Sequence, residues 1–139
     1  MTEYLARAEI DIEATPEQVW AVLTDPEQLK ALWFGAEVET DWSVGSPITW
    51  SGEWEGKPFQ DKGEILEVDP GRVLRFTHFS PLTGQDDVPE NYHTLTWTLT
   101  GSTHLTLTQD NNASQDEADH ATGMWATLLE KVKSAAEVI

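Results

Sequence analysis

Apolar and polar residues alternate at the start of the chain. Ala8, Ile10 and Ile12 interleave with Arg7, Glu9, Asp11 and Glu13, the period of two that marks a half-buried strand. From Ala14 to Gly35 the period changes. Val19, Val22 and Leu23 form one stripe and Leu29, Leu32 and Trp33 the next, at the i, i+3, i+4 spacing of a helix face. Each stripe has its own start signal. Thr15-Pro16-Glu17-Gln18 reads as a capping box with Pro at the first helical position, and Asp25-Pro26-Glu27-Gln28 repeats the device with Asp as cap. Pro26 forces a break, so the pattern predicts two helices of about two turns each, with Gly35 as the stop. Helices this short need a larger surface to bury their stripes, which predicts a V of helices propping up a sheet.

Alternation then returns. Glu37 to Trp42 predicts a short strand turned by Ser43-Val44-Gly45-Ser46. Ile48, Trp50, Gly52 and Trp54 share one face of the next strand, and Glu55-Gly56-Lys57-Pro58 reads as a turn. Phe59 to Val68 is extended, with Gly63 marking a bulge or a close backbone approach, and Asp69-Pro70-Gly71 has the residues of a type II turn. Val73 to Phe79 follows, with Leu74, Phe76 and His78 on one face. Ser80 to Asn91 is long and irregular, and reads either as a lid or binding loop or as a plain solvated connection. Leu95, Trp97 and Leu99 alternate with Thr residues, as do Leu105 and Leu107. A three-residue turn, Gly101-Ser102-Thr103, sets Leu99 against Leu105 and Trp97 against Leu107, keeping the apolar faces together. The last segment is the longest helix. Ala121, Trp125, Leu128, Val132 and Ala135 form its apolar face, widened by Met124, Leu129 and Ala136, with Ser114 or Asp116 as the cap.

The motif T-P-E-x-V-W-x-x-L-T-D-P-E is carried by Thr15, Pro16, Glu17, Val19, Trp20, Leu23, Thr24, Asp25, Pro26 and Glu27, with Trp33 beyond it. Trp125 to Lys133 supply the ending W-x-x-L-L-x-K-V-K. Both resemble the proteins similar to the activator of heat-shock-protein-90 ATPase, within the START-like, birch-pollen-allergen-like (SRPBCC) superfamily. The resemblance implies an α+β helix-grip fold over residues 1–139 as one domain: a curved antiparallel sheet of about seven strands wrapped around a long C-terminal helix, with two short helices after the first strand. The motif is one of fold, not of catalysis.

Composition narrows the functions. The chain has 25 acidic residues against 8 Lys and Arg, a net charge of −17. Nucleic acid and anionic lipid headgroups both require cationic contacts, so neither is an expected partner. The scattered acids read first as solubility or salt adaptation, and second as a surface for a basic partner or cationic ligand. No apolar run approaches membrane-spanning length and there is no Cys, so a cytoplasmic address without disulfides or thiolate sites is expected. No cofactor or metal is expected, because the His residues lack ligand spacing. Asp110-x-Asn112-x-Ser114-x-Asp116 fails as a calcium loop, with Gln115 in the place of the turn Gly and Ala121 in that of the bidentate Glu.

The candidate chemistry is aromatic. Seven Trp residues, several on inward faces, either fill the core or line a space between sheet and long helix, where the superfamily often holds an apolar ligand. The candidate ligand-binding residues are Trp33, Trp50, Trp54, Phe76, His78, Trp97, Gln109, Trp125 and Leu128. His78 and Gln109 are the inward polar groups, His93 and His104 are placed with the Thr positions on the exposed face, and His120 is placed early on the long helix, near a pocket mouth. Three functions follow. The first is a module, monomeric or homodimeric, that binds a small apolar or amphipathic molecule. The second is a co-chaperone-like activator of a heat-shock ATPase. The third is a polyketide-cyclase-like enzyme using His78 or His120, aided by Tyr92.

Overall fold

A computed structural model describes residues 4–33, 35–81, 84–101, 103–112 and 114–137. The order is β1 (Tyr4–Asp11), α1 (Pro16–Thr24), α2 (Pro26–Leu32), β2 (Glu37–Glu39), β3 (Pro47–Trp54), β4 (Lys57–Asp69), β5 (Val73–His78), β6 (His93–Thr100), β7 (His104–Asn112) and α3 (Gln115–Glu137). The strands form one antiparallel sheet in the order β1-β7-β6-β5-β4-β3-β2. The first strand closes against the last, and α3 packs on β1, β7 and both short helices. This is the helix-grip arrangement.

Local chemistry sets the helix ends. Thr15 accepts the Gln18 N–H (3.1 Å), while the Gln18 side chain accepts the Thr15 N–H (2.8 Å), completing the capping box. Asp25 caps α2 through the Glu27 N–H (3.0 Å). The Gly35 N–H bonds the Lys30 carbonyl (2.7 Å) at a φ of 90°. Ser114 caps α3 by accepting the Glu117 N–H. Along α3 the buried residues are Ala118, Ala121, Trp125, Leu128, Leu129, Val132 and Ala136. Ala136 is therefore the deep residue of the last turn, while Ala135 is half-buried and Met124 is exposed.

The β6–β7 register is the one that apolar pairing demands: Leu99 opposite Leu105 and Trp97 opposite Leu107. Gly101 and Thr103 have φ of 55° and 71°, while Ser102, the middle of the expected turn, lies outside the described residues. Thr103 also pins the chain leaving β1. Its hydroxyl donates to the Ala14 carbonyl (2.6 Å), and its own carbonyl accepts the Ile12 N–H (3.0 Å).

Three boundaries differ from the sequence pattern. β2 stops at Glu39, because the chain turns away before Trp42, whose φ is 59°. The β3–β4 turn is Glu55-Gly56 alone, with φ of 52° and 78°. Two left-handed residues make the tightest hairpin, so Lys57 and Pro58 already belong to β4, paired with Trp54 and Glu53. β4 accordingly runs 13 residues. It pairs with β3 over its first half and with β5 over its second, the change falling near Gly63. A Cβ added at Gly63 would lie 1.7 Å from the Thr77 carbonyl oxygen, so this glycine permits a close approach of backbones.

Candidate functional site

The sheet's concave face, the end of α2 and the middle of α3 enclose a cavity of about 370 Å³. Its walls are aromatic. Trp33 comes from the C-cap of α2, Trp50 from β3, Phe59 from β4 and Trp125 from α3. The Trp33 ring lies 5.6 Å from Trp50 and 5.5 Å from Trp125, centroid to centroid. Glycine shapes one wall. Gly52 has no side chain where the Phe59 ring lies across it, 3.1 Å from the position of an added Cβ.

A line of polar side chains crosses the sheet beneath these rings. Asp61 on β4 stands opposite Trp50 on β3, and His78 on β5 stands opposite His93 on β6. All four line the cavity, as does Gln109 on β7. The His78 Nε2–H donates to Asp61 Oδ2 (2.9 Å), and the two side chains are only 19% and 15% exposed. The imidazole is flanked by Trp50 at 4.8 Å and Trp33 at 6.4 Å. The His93 Nδ1–H donates to the Asp110 carbonyl (2.8 Å). Gln109 is buried and fully engaged at its oxygen. Oε1 accepts the Trp125 Nε1–H (3.1 Å), while Nε2 donates to Asn112 Oδ1 (2.8 Å). Trp125 thus has the polar partner a buried indole requires. Trp50, which is 2% exposed, does not: its Nε1–H and the Oδ1 of Asp61 are buried without a hydrogen-bond partner among the described residues.

Of the residues singled out from sequence, Trp33, Trp50, His78, Gln109 and Trp125 therefore meet at one cavity. Phe76, Trp97 and Leu128 do not line it. Phe76 and Trp97 surround a separate void of about 10 Å³ on the apolar side of Trp50, and Leu128 is completely buried in the core. The Trp54 side chain lies outside the described part of the structure. His93 corrects its assignment to the exposed face: it is in phase with Leu95 and Trp97, is half-buried and faces the cavity. His104 is half-buried and held by Asp11 and Glu9. His120 is exposed and does not reach the cavity. Tyr92 is also elsewhere, stacked on Phe79 at 5.1 Å.

Phe59, Asp61 and His93 are among the lining residues the sequence reading missed. The signal existed for each. Phe59, Asp61 and Gly63 are in phase with the buried Ile65, but Asp61, between Gln60 and Lys62, reads as one more solvated residue. Among the described residues, no three His, Asp or Glu side chains gather to hold a metal ion, and no helix is long and apolar enough to cross a membrane.

The long connection after β5 borders the cavity through Ser80, Gln85 and Asn91. It is held from outside by Asn111 on β7, whose Nδ2 donates to the Glu90 carbonyl (2.7 Å), and by the carboxylate of Asp87. Asp87 forms an ion pair with Lys62 on β4 and accepts the Tyr92 hydroxyl (2.6 Å). These contacts hold the Asp87 carboxyl below its ordinary value, the Lys62 hydrogen bond first and the Tyr92 bond second, and the same bond raises Lys62. Burial and then Asp87 push the Tyr92 phenol up. A depressed carboxyl contributes stability above its unfolded value of 3.8 and loses it as pH falls through the folded value. Asp87→Asn is therefore expected to speed backbone hydrogen exchange in residues 84–92 near neutral pH, while the native loop loosens only in acid. Equal exchange in both proteins would show that the anchor lies elsewhere.

The family model for Activator of Hsp90 ATPase homolog 1-like proteins matches residues 13–137. A solution structure of a Cytophaga hutchinsonii protein is 45% identical, with 94% of this chain and 91% of that one covered and a TM-score of 0.83. A crystal structure from Mesorhizobium loti is 24% identical, covers 94% and 95%, and has a TM-score of 0.74. The solution structure of the Aha1 dimer from Colwellia psychrerythraea is 22% identical, covers 99% and 98%, and has a TM-score of 0.70. No curated protein matches.

Proposed function

Because the chain belongs to the Activator of Hsp90 ATPase homolog 1-like family, a START-like group, we propose that it is a binding domain for a small apolar or amphipathic molecule, held between the concave sheet and α3. The observation that carries this reading is the cavity itself. At about 370 Å³ it is within the range of small-molecule sites, roughly 300–1,000 Å³, and it joins apolar walls to a few convergent polar groups as such sites do. Burial against Trp33, Trp50, Phe59 and Trp125 supplies affinity, and the polar line supplies orientation. A filled core would have put these rings in mutual contact on all sides; here they share an open face.

The ATPase-activator role in the family's name is a second reading, and the cavity favours the first. The binding reading is tested by following the indole N–H signals of the seven Trp residues by NMR during titration with small aromatic and aliphatic molecules. The expected result is a saturable shift of Trp33, Trp50 and Trp125 together for one chemical class, with Trp97 moving least. Unshifted indoles across the panel would overturn the reading and turn the search to protein partners.

A further inference from the structure

The geometry points to a hydroxyl group as the polar end of the molecule this cavity takes, an inference that rests on the binding reading above. Among the described residues, two buried polar atoms beside the cavity have no partner, one a donor and one an acceptor: Trp50 Nε1–H and Asp61 Oδ1. Leaving such an atom unsatisfied is destabilising. They belong to residues directly opposite each other in the β3–β4 register. Directly opposed residues of an antiparallel pair have Cβ atoms roughly 4.5–5.5 Å apart, so a small group that seats between the two side chains, displacing them slightly, reaches both. Asp61 Oδ2 is held by His78, which leaves Oδ1 as the open acceptor of the carboxylate.

The group that satisfies both atoms must donate once and accept once. An ether or ketone accepts the indole N–H but offers Asp61 nothing. An ammonium donates to Asp61 but has no lone pair for Trp50. A carboxylate accepts from Trp50 and is repelled by Asp61. Anions meet a further obstacle: the titratable side chains lining the cavity are Glu53, Asp61, His78 and His93, with no Lys or Arg among the described lining residues. A neutral alcohol or phenol on an apolar body fits both the orphan pair and the charge of the walls. Its oxygen accepts from Trp50 Nε1–H, its proton is donated to Asp61 Oδ1, and its body lies against Trp33, Phe59 and Trp125.

Three probes of one shape separate these cases: 2-naphthol, 2-methoxynaphthalene and 2-naphthoate. Their affinities for the intact protein are measured by calorimetry, and the Trp50 indole signal is followed by NMR. The expected order places 2-naphthol about tenfold tighter than its methyl ether, since a donor to a buried carboxylate is lost, with 2-naphthoate weakest. The Trp50 N–H moves downfield with 2-naphthol. In Asp61→Ala the advantage of the naphthol over the ether disappears, while both probes still bind. Equal binding of naphthol and ether to the unaltered protein, with the Trp50 indole unmoved, overturns the inference, because Trp50 and Asp61 then satisfy each other. That outcome leaves the binding reading standing. Failure of all three probes to bind also overturns the inference, and the binding reading then stands or falls on the wider panel.

Discussion

Trp97→Ala is expected to lower the free energy of unfolding by about 3–5 kcal/mol, the range for truncating a buried aromatic side chain. Trp97 is 3% exposed and is flanked on its two neighbouring strands by Leu74 and Leu107. The nearest void holds only about 10 Å³, so little space is present to absorb the loss, and the strands on either side are too firmly paired to collapse into it. The measurement is the urea midpoint with its slope, and a fall in midpoint at constant slope is the expected form. The cavity walls of Trp33, Trp50 and Trp125 do not include this residue, so ligand shifts at those indoles should persist in the folded fraction. A loss below about 1 kcal/mol would remove Trp97 from the core.

Gly63→Ala is expected to cost at least about 2 kcal/mol, toward the upper part of the range for inserting a methyl into close packing. Space around the other glycines is mostly open, but here the new Cβ meets backbone: the Thr77 oxygen at 1.7 Å and its carbonyl carbon at 2.5 Å. Backbone cannot rotate out of the way as a flexible side chain can, so β4 and β5 must separate. The Glu64 N–H to Thr77 hydroxyl bond (2.9 Å) sits at the same place. Asp61 and His78 lie on the two strands concerned, so their hydrogen bond should weaken with the fold. The check is thermal unfolding together with the His78 ring signals. An alanine variant of native stability with unchanged His78 signals would mean that the strands stand further apart than described.

These two residues show how differently parts of the molecule could be read. Gly63 lies in an alternating stretch where a glycine has no packing reason, so the sequence announced a special backbone position. Only the tertiary structure supplied the neighbour, Thr77 from the next strand. Trp97 was assigned to the inward face by period two, and that is where it lies. Period two fixes which face a side chain occupies. It does not say what stands above that face.

The same distinction divides the candidate site. Caps, turns and registers are local or nearest-strand matters, so Thr15 with Gln18, Asp25, and the pairing of Leu99 with Leu105 followed from residue chemistry and spacing alone. So did the long apolar face of α3 and the inward direction of His78 and Gln109. Depth was decided elsewhere. α2 and α3 pack over part of the sheet, and only some inward side chains look into the space left between them. Trp33, Trp50 and Trp125 line that space, whereas Phe76, Trp97 and Leu128 are packed into the core. Asp61 was the least legible residue of all. In a chain with a net charge of −17, one more acid among many carries no signal. Its meaning comes from facing Trp50 and His78 across two strand boundaries, 11 and 17 residues away in the chain. Sequence determined the elements, most of their ends and the face of most inward side chains. Tertiary structure alone decided which of those side chains are packed shut and which look into open space, because that depends on where distant elements cross, and no local period encodes a crossing.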